Sequence, residues 1–156
     1  MTGKFQINYT QNAFLNAVRN IIITKKVPRK LLNIPVELSP VDECAKSINI
    51  IISSDSKNKI YHIVNNYTIL VKDFIKIINR KKYNIQIVDM NDFIKAINRQ
   101  NEVGKQYIKE YILANSLNKY SCKNTIELLN ENHFNWSKID DKYINLIMKL
   151  IKENRW

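Results

Sequence analysis

Apolar residues recur along this chain at helical or at alternating spacing, and the changes of spacing mark out its elements. Phe5-Gln-Ile-Asn8 reads as a short extended entry. Over 11–24, Ala13, Phe14, Ala17, Val18, Ile21 and Ile22 fall on one helical face, with Thr10 placed to cap the start. Pro28 stops this helix. Val36-Glu-Leu38 alternates as a short strand. Ser39-Pro40-Val41-Asp42 then reads as a helix start: Ser39 caps, Pro40 takes the first helical position, and Asp42 lies three residues beyond the cap. Val41, Ala45, Ile48 and Ile52 form the buried face expected of that helix over 40–53.

Lys59-Ile-Tyr-His-Ile-Val64 reads as a second strand, followed by a loop over 65–68 in which Thr68 caps the next helix. Val71, Phe74, Ile75 and Ile78 make that helix's apolar stripe, and Arg80, Lys81 and Lys82 suit the negative end of its dipole. Ile85-Gln-Ile-Val88 alternates as a third strand. From about residue 91 the pattern is helical over 91–99, 105–117, 124–131 and 140–153, with breaks at Gly104 and over 118–123. The fold class expected is α/β to α+β, mostly helical with a few short strands. It reads as one domain over 1–156, with an α/β part over 1–90, a helical part over 91–156, and neither internal repeat nor long linker.

Composition narrows the chemistry. With 45% apolar residues the chain can bury a core. Glycine occurs twice, at Gly3 and Gly104. That excludes the glycine-rich phosphate loops, which need several positions of close backbone approach, and the GxSxG nucleophile elbow. Two histidines and two cysteines cannot form a four-ligand zinc site at the usual spacings. The net charge of +11 suggests a nucleic-acid binder at first sight, but 20 of the 25 basic residues are lysine. Ile, Asn and Lys together supply 68 of 156 residues, which reads as an A/T-rich coding bias. The excess is also spread evenly, about +6 over 1–78 and about +5 over 79–156, and its densest knot is Lys25, Lys26, Arg29 and Lys30. A solvated basic surface accounts for this pattern better than a nucleic-acid interface. The N-terminus has no apolar signal segment and no run approaches the ~20 residues that span a bilayer. A reduced, cytoplasmic setting with free Cys44 and Cys122 is the expectation.

Few residues offer catalytic chemistry. Tyr107 and Lys109 are too close in sequence for a Tyr-xxx-Lys proton-donor pair, so Tyr107, Ile108, Tyr111 and Ile112 read as packing. His62, inside an apolar strand pattern, reads as a partly buried structural histidine. His133 sits beside Phe134 and Trp136 in a helix connection and reads as a surface or packing residue. Asp140 caps the last helix and leaves Asp141 in its first turn. Asn65 and Asn66 end a strand, where α/β sheets present ligand loops, although a turn accounts for them better. The residues alone describe an α/β-to-α chain without a visible active site.

Several segments in order resemble the C-terminal portion of thioester reductase domains of nonribosomal peptide synthetases, within the extended short-chain dehydrogenase superfamily. They are Gly3-Lys-Phe-Gln-Ile-Asn8 with Asn12-Ala-Phe14, Val36-Glu-Leu-Ser-Pro-Val-Asp-Glu-Cys-Ala45, and Ile60-Tyr-His-Ile-Val-Asn65. The tail Lys123-Asn-Thr-Ile-Glu-Leu-Leu129, Phe134-Asn-Trp136, Ile139-Asp140 and Tyr143-Ile144 matches as well. The resemblance implies a substrate-binding subdomain that lacks the N-terminal Rossmann half. The intact domain uses NADPH to release a carrier-bound acyl or peptidyl thioester as aldehyde or alcohol. No catalytic residue and no cofactor site is expected in this chain alone, which is then inactive by itself. The partners implied are a carrier protein with its phosphopantetheine arm and the missing Rossmann half. The substrate-contacting positions implied are Asn8, Asn12, Phe14, Asn65 and Asn66. An isolated chain is expected to expose apolar surface on helix 40–53 and a strand edge at 59–64, and so to self-associate. Neither membrane nor nucleic acid is expected as a partner. Two other classes remain open: a small basic nucleic-acid-binding module, and a non-catalytic interaction protein derived from a reductase.

Overall fold

A computed structural model of the chain describes residues 12–55, 60–98 and 121–153. The first helix, α1, runs over Ala13–Thr24. Its cap is Asn12 rather than Thr10: the Leu15 N–H donates to Asn12 Oδ1 at 3.0 Å, while the Asn12 backbone stays extended. The helix ends four residues before Pro28, because Lys25 turns left-handed at φ 52° and its N–H closes back on the Ile22 carbonyl. The three residues after it, Lys26–Pro28, are a strand that the alternation did not reveal, β1. A 3₁₀ turn over Arg29–Leu31 follows, then β2 at Pro35–Glu37.

Helix α2 covers Val41–Ser53, one residue after the start expected. Ser39 does not cap it; the Ser39 hydroxyl accepts the Asn65 N–H instead, at 2.8 Å. The segment 68–70 is not a loop with a capping threonine but a strand, β3 at Thr68–Leu70, paired antiparallel with β2. Helix α3 follows directly over Val71–Arg80 and buries the expected stripe of Val71, Phe74, Ile75 and Ile78. Strand β4, Gln86–Val88, lies parallel to β1 with Val27 opposite Ile87. Helices α4 (Met90–Asn98), α5 (Lys123–Glu131) and α6 (Asp141–Glu153) complete the described chain. The cap of α6 is the expected one: Tyr143 N–H donates to Asp140 Oδ1 at 2.8 Å. The helix expected over 105–117, with Tyr107 and Tyr111, lies outside the described residues, as do Thr10 and the segment 3–8.

The core joins one face of α1 (Leu15, Val18, Ile21), Val27, Leu31 and Val36, the stripe of α3, Phe93 and Ile97 of α4, and Ile144, Ile147 and Met148 of α6. The architecture is mostly helical, with two short two-stranded sheets among the described residues. These small ladders carry the chain between helices that bury one another.

Two expectations fail in ways that bear on function. Residues 60–64 form no strand; they run without a ladder partner among the described residues, and Ile60 is 68% exposed. A strand needs a neighbour to take its N–H and C=O groups, and the described residues do not place one there. Accordingly His62 is exposed rather than partly buried. Helix α2, in turn, is turned over. Its expected buried face points outward, with Val41 70% and Ile52 76% exposed and Ala45 and Ile48 exposed beside them. Glu43 and Ser47, four residues apart on the opposite stripe, are the buried ones.

Candidate functional site

The inward stripe of α2 meets the segment before α6 through a buried carboxylate. Glu43 stands in the first turn of α2, where the helix dipole favours an anion. Its Oε2 accepts the Ser137 N–H at 2.9 Å and its Oε1 accepts the Ser137 hydroxyl. Ser137 is in turn held by Asn65, whose amide donates to the Ser137 carbonyl at 2.9 Å and to the Leu38 carbonyl at 3.0 Å. Asn65 Oδ1 accepts the Tyr67 N–H at 2.9 Å, closing an Asx turn. Asn65 is only 1% exposed. Both of its amide protons and its carbonyl are thus engaged, and it fastens three chain segments together.

The charge gathered there acts on its neighbours. Burial, reinforced by Glu43 and Asp42, pushes the Tyr143 phenol up to about 12. Burial and then the same two carboxylates raise the Cys44 thiol above its ordinary value. Cys122 is raised as well, by burial and then by Glu37. Both cysteines are free thiols. They stay protonated, so neither is an activated nucleophile. Among the described residues no three His, Cys, Asp or Glu side chains gather as a metal site would require.

Beside this cluster, a narrow groove runs between the turn at Asn66-Tyr67, helix α5 and the segment before Ser137. Its walls include Asn66, Tyr67, Asn130, Phe134, Asn135 and Trp136. Phe134 and Trp136 pack edge to face, with ring centroids 5.3 Å apart. Trp136 is buried, and its Nε1 donor has no acceptor among the described residues. The groove is small, about 10 Å³, which is room for about one water molecule.

The five positions implied as substrate contacts fall in different places. Asn66 is exposed at the groove, and Asn65 lies behind it in the hydrogen-bonded cluster. Asn12 caps α1. Phe14 is half-buried and meets Phe74 edge to face at 6.0 Å, so it packs against the core. Asn8 lies outside the described residues. His133, expected at the surface or in packing, is exposed and left-handed at φ 56°, in the turn that ends α5. Sequence reading missed the Glu43–Ser137 pair. Its only trace was a polar stripe, Glu43 and Ser47, opposite an equally regular apolar one.

No family model matches the chain, and no curated protein matches it. Solved structures do. The thiolation-reductase di-domain of an archaeal non-ribosomal peptide synthetase matches 97% of this chain with a TM-score of 0.78 and 25% identity. The reductase domain of the aureusimine biosynthetic cluster matches 96% with a TM-score of 0.82 and 19% identity. The chain spans 33% of the first protein and 40% of the second. Its fold is therefore that of part of a nonribosomal-peptide reductase, as the sequence resemblance implied. No helix among the described residues is long and apolar enough to cross a membrane.

Proposed function

We propose that this chain is the substrate-side, C-terminal part of a reductase domain that releases a carrier-bound acyl or peptidyl thioester as aldehyde or alcohol. The observation that carries this reading is the likeness to a thiolation-reductase di-domain across 97% of the chain. The outward apolar stripe of α2 supports it, because it makes a face suited to a second body that offers an apolar layer.

The division of labour follows from the residues present. Reduction of a thioester needs a hydride, which NADPH supplies when bound. The described residues contain no glycine, and a dinucleotide pyrophosphate needs the close backbone approach that glycine allows. NADPH does not fit the described residues, and we assign it to a separate nucleotide-binding half. What remains here is positioning. The Asn65–Ser137–Glu43 cluster fixes the turn at Asn66 and Tyr67, a surface that the arm or the acyl chain would meet. The protonated free thiols accord with a reducing, cytoplasmic setting.

An amide NMR titration of the nitrogen-labelled chain with pantetheine-loaded carrier protein tests this reading, with a short DNA duplex as control. Shifts at 65–67 and 130–136 with loaded carrier, and none with DNA at 0.15 M salt, are expected. Salt-sensitive shifts with DNA alone would replace the reductase reading by that of a basic nucleic-acid module.

A further inference from the structure

A second concavity, remote in sequence from the Asn65 cluster, lies at the carboxyl ends of β1 and β4. The two strands are parallel, so both chains leave the ladder on the same side. One turns into the 3₁₀ segment that starts at Arg29, and the other passes Asp89 into α4. Between them opens a cavity of about 400 Å³ lined by Arg29, Lys30, Asp89, Met90 and Asn91. Crevices at the carboxyl ends of parallel strands are where open α/β sheets take their ligands.

Two cations and one carboxylate line this cavity. Some surface cations sit in ion pairs with a neighbouring acid, such as Lys76 with Asp73, Arg80 with Asp141 and Lys149 with Glu153. Arg29 and Lys30 form no such pair among the described residues, although Asp89 stands on the same wall. Lys25 and Lys26 lie immediately upstream, so four cations fall within six residues. Even spread accounts for the lysines dispersed over the surface; what sets Arg29 and Lys30 apart is that two adjacent cations line one cavity.

We infer that this cavity is a binding site for a phosphate ester, with Arg29 and Lys30 as its cations. The planar guanidinium offers two parallel donors to a phosphate, and the lysine adds a point charge to the same group. Met90 gives the organic part of the ester an apolar wall, and Asn91 offers an amide. Those two residues favour an ester over the bare ion. The site uses side chains where glycine loops would use backbone. It stands apart from the reductase reading, since anion binding is measured here without turnover. Two sources share this chemistry, the phosphate of a pantetheine arm and that of a nucleotide.

The test is a set of amide NMR titrations of the whole chain at fixed ionic strength with 4′-phosphopantetheine, with adenosine monophosphate and with inorganic phosphate. Saturable shifts at 29–31 and 89–91 are expected, with at least one ester binding several-fold more tightly than inorganic phosphate. The tighter ester identifies the source. The double variant Arg29→Ala/Lys30→Ala should weaken binding by about tenfold or more, because it removes both charge-assisted contacts. Both side chains are exposed, so the variant should keep the amide spectrum of the folded chain. Asp89→Asn should tighten binding a few-fold, whereas Lys149→Ala and Glu153→Gln, single charge changes elsewhere, should not alter it. Equal affinity for esters and inorganic phosphate overturns the proposal. So does a loss in the double variant no larger than that in Lys149→Ala.

Discussion

Asn65 shows how much one side chain can organise. Its amide reaches Leu38 and Ser137, 27 and 72 residues away, and its carbonyl closes the turn to Tyr67. Truncating it would leave two carbonyls and one N–H without partners in a buried place, and buried polar groups left unpaired cost about 1–3 kcal/mol each. Asn65→Ala should lower the unfolding free energy by about 2–4 kcal/mol in urea titration, whatever its effect on ligand. A loss below about 0.5 kcal/mol would show that the three bonds stabilise nothing net. Tyr143 allows a test by pH. Its phenol is held protonated up to about 12 in the folded chain, against 10.0 for the ordinary group. The raised value means that the folded state keeps a proton that the unfolded state releases first. This stability is therefore complete below pH 10 and is lost as pH rises toward 12, by about 2 kcal/mol in all. Urea midpoints between pH 8 and 11.5 should fall more steeply for the natural chain than for Tyr143→Phe. Parallel slopes would remove the role assigned to burial.

At the scale of elements, α3 and α2 carry equally regular apolar stripes and put them to opposite uses. Ile78 on α3 is fully buried, whereas Ile52 on α2 is 76% exposed. Ile78→Ala should cost about 2–5 kcal/mol, the usual range for a large-to-small change in a packed core. The paired change Val41→Lys/Ile52→Lys should alter the chain's own stability by only about 0.5 kcal/mol, as exposed substitutions do. Thermal or urea unfolding of the two variants decides the matter, and a large loss in the lysine variant would place its stripe inside the fold after all. Helix periodicity was legible because each helix satisfies its own backbone within four residues. The direction a stripe faces was not legible, since it depends on what else the chain supplies to cover it.

On the scale of the whole molecule, the outward stripe of α2 gives one side of the chain the apolar character of an interior. A chain that spans 33–40% of its structural neighbours and shows such a side should not remain alone in solution. Sedimentation velocity should show association that grows with concentration. In Val41→Lys/Ile52→Lys it should fall sharply, because charge on both ends of the stripe opposes close contact. A natural chain that stays monomeric at about 0.1 mM, a level where micromolar self-affinity would be evident, would mean that the stripe is solvated without a partner. Docking of a nucleotide-binding half would compete with the same association and would lower it at equal total concentration.

The positions of the described helices to within a residue or two, the stripe of α3, the start of α6 at Asp140 and the scarcity of glycine were all determined by sequence alone. Each depends on contacts within one or two helical turns or on composition. The resemblance to reductases also lay in the sequence, dispersed over segments individually too short to decide it. Tertiary structure alone decided the rest. Strands β1 and β3 are three residues long, and what makes them strands is a partner about 60 or 33 residues away. The buried place of Glu43 depends on Ser137, 94 residues on. The crevice at Arg29 and Lys30 exists because two parallel strands end side by side. Hydrogen bonds within a helix are written locally, whereas ladder partners, buried charges and cavities arise only where distant segments meet.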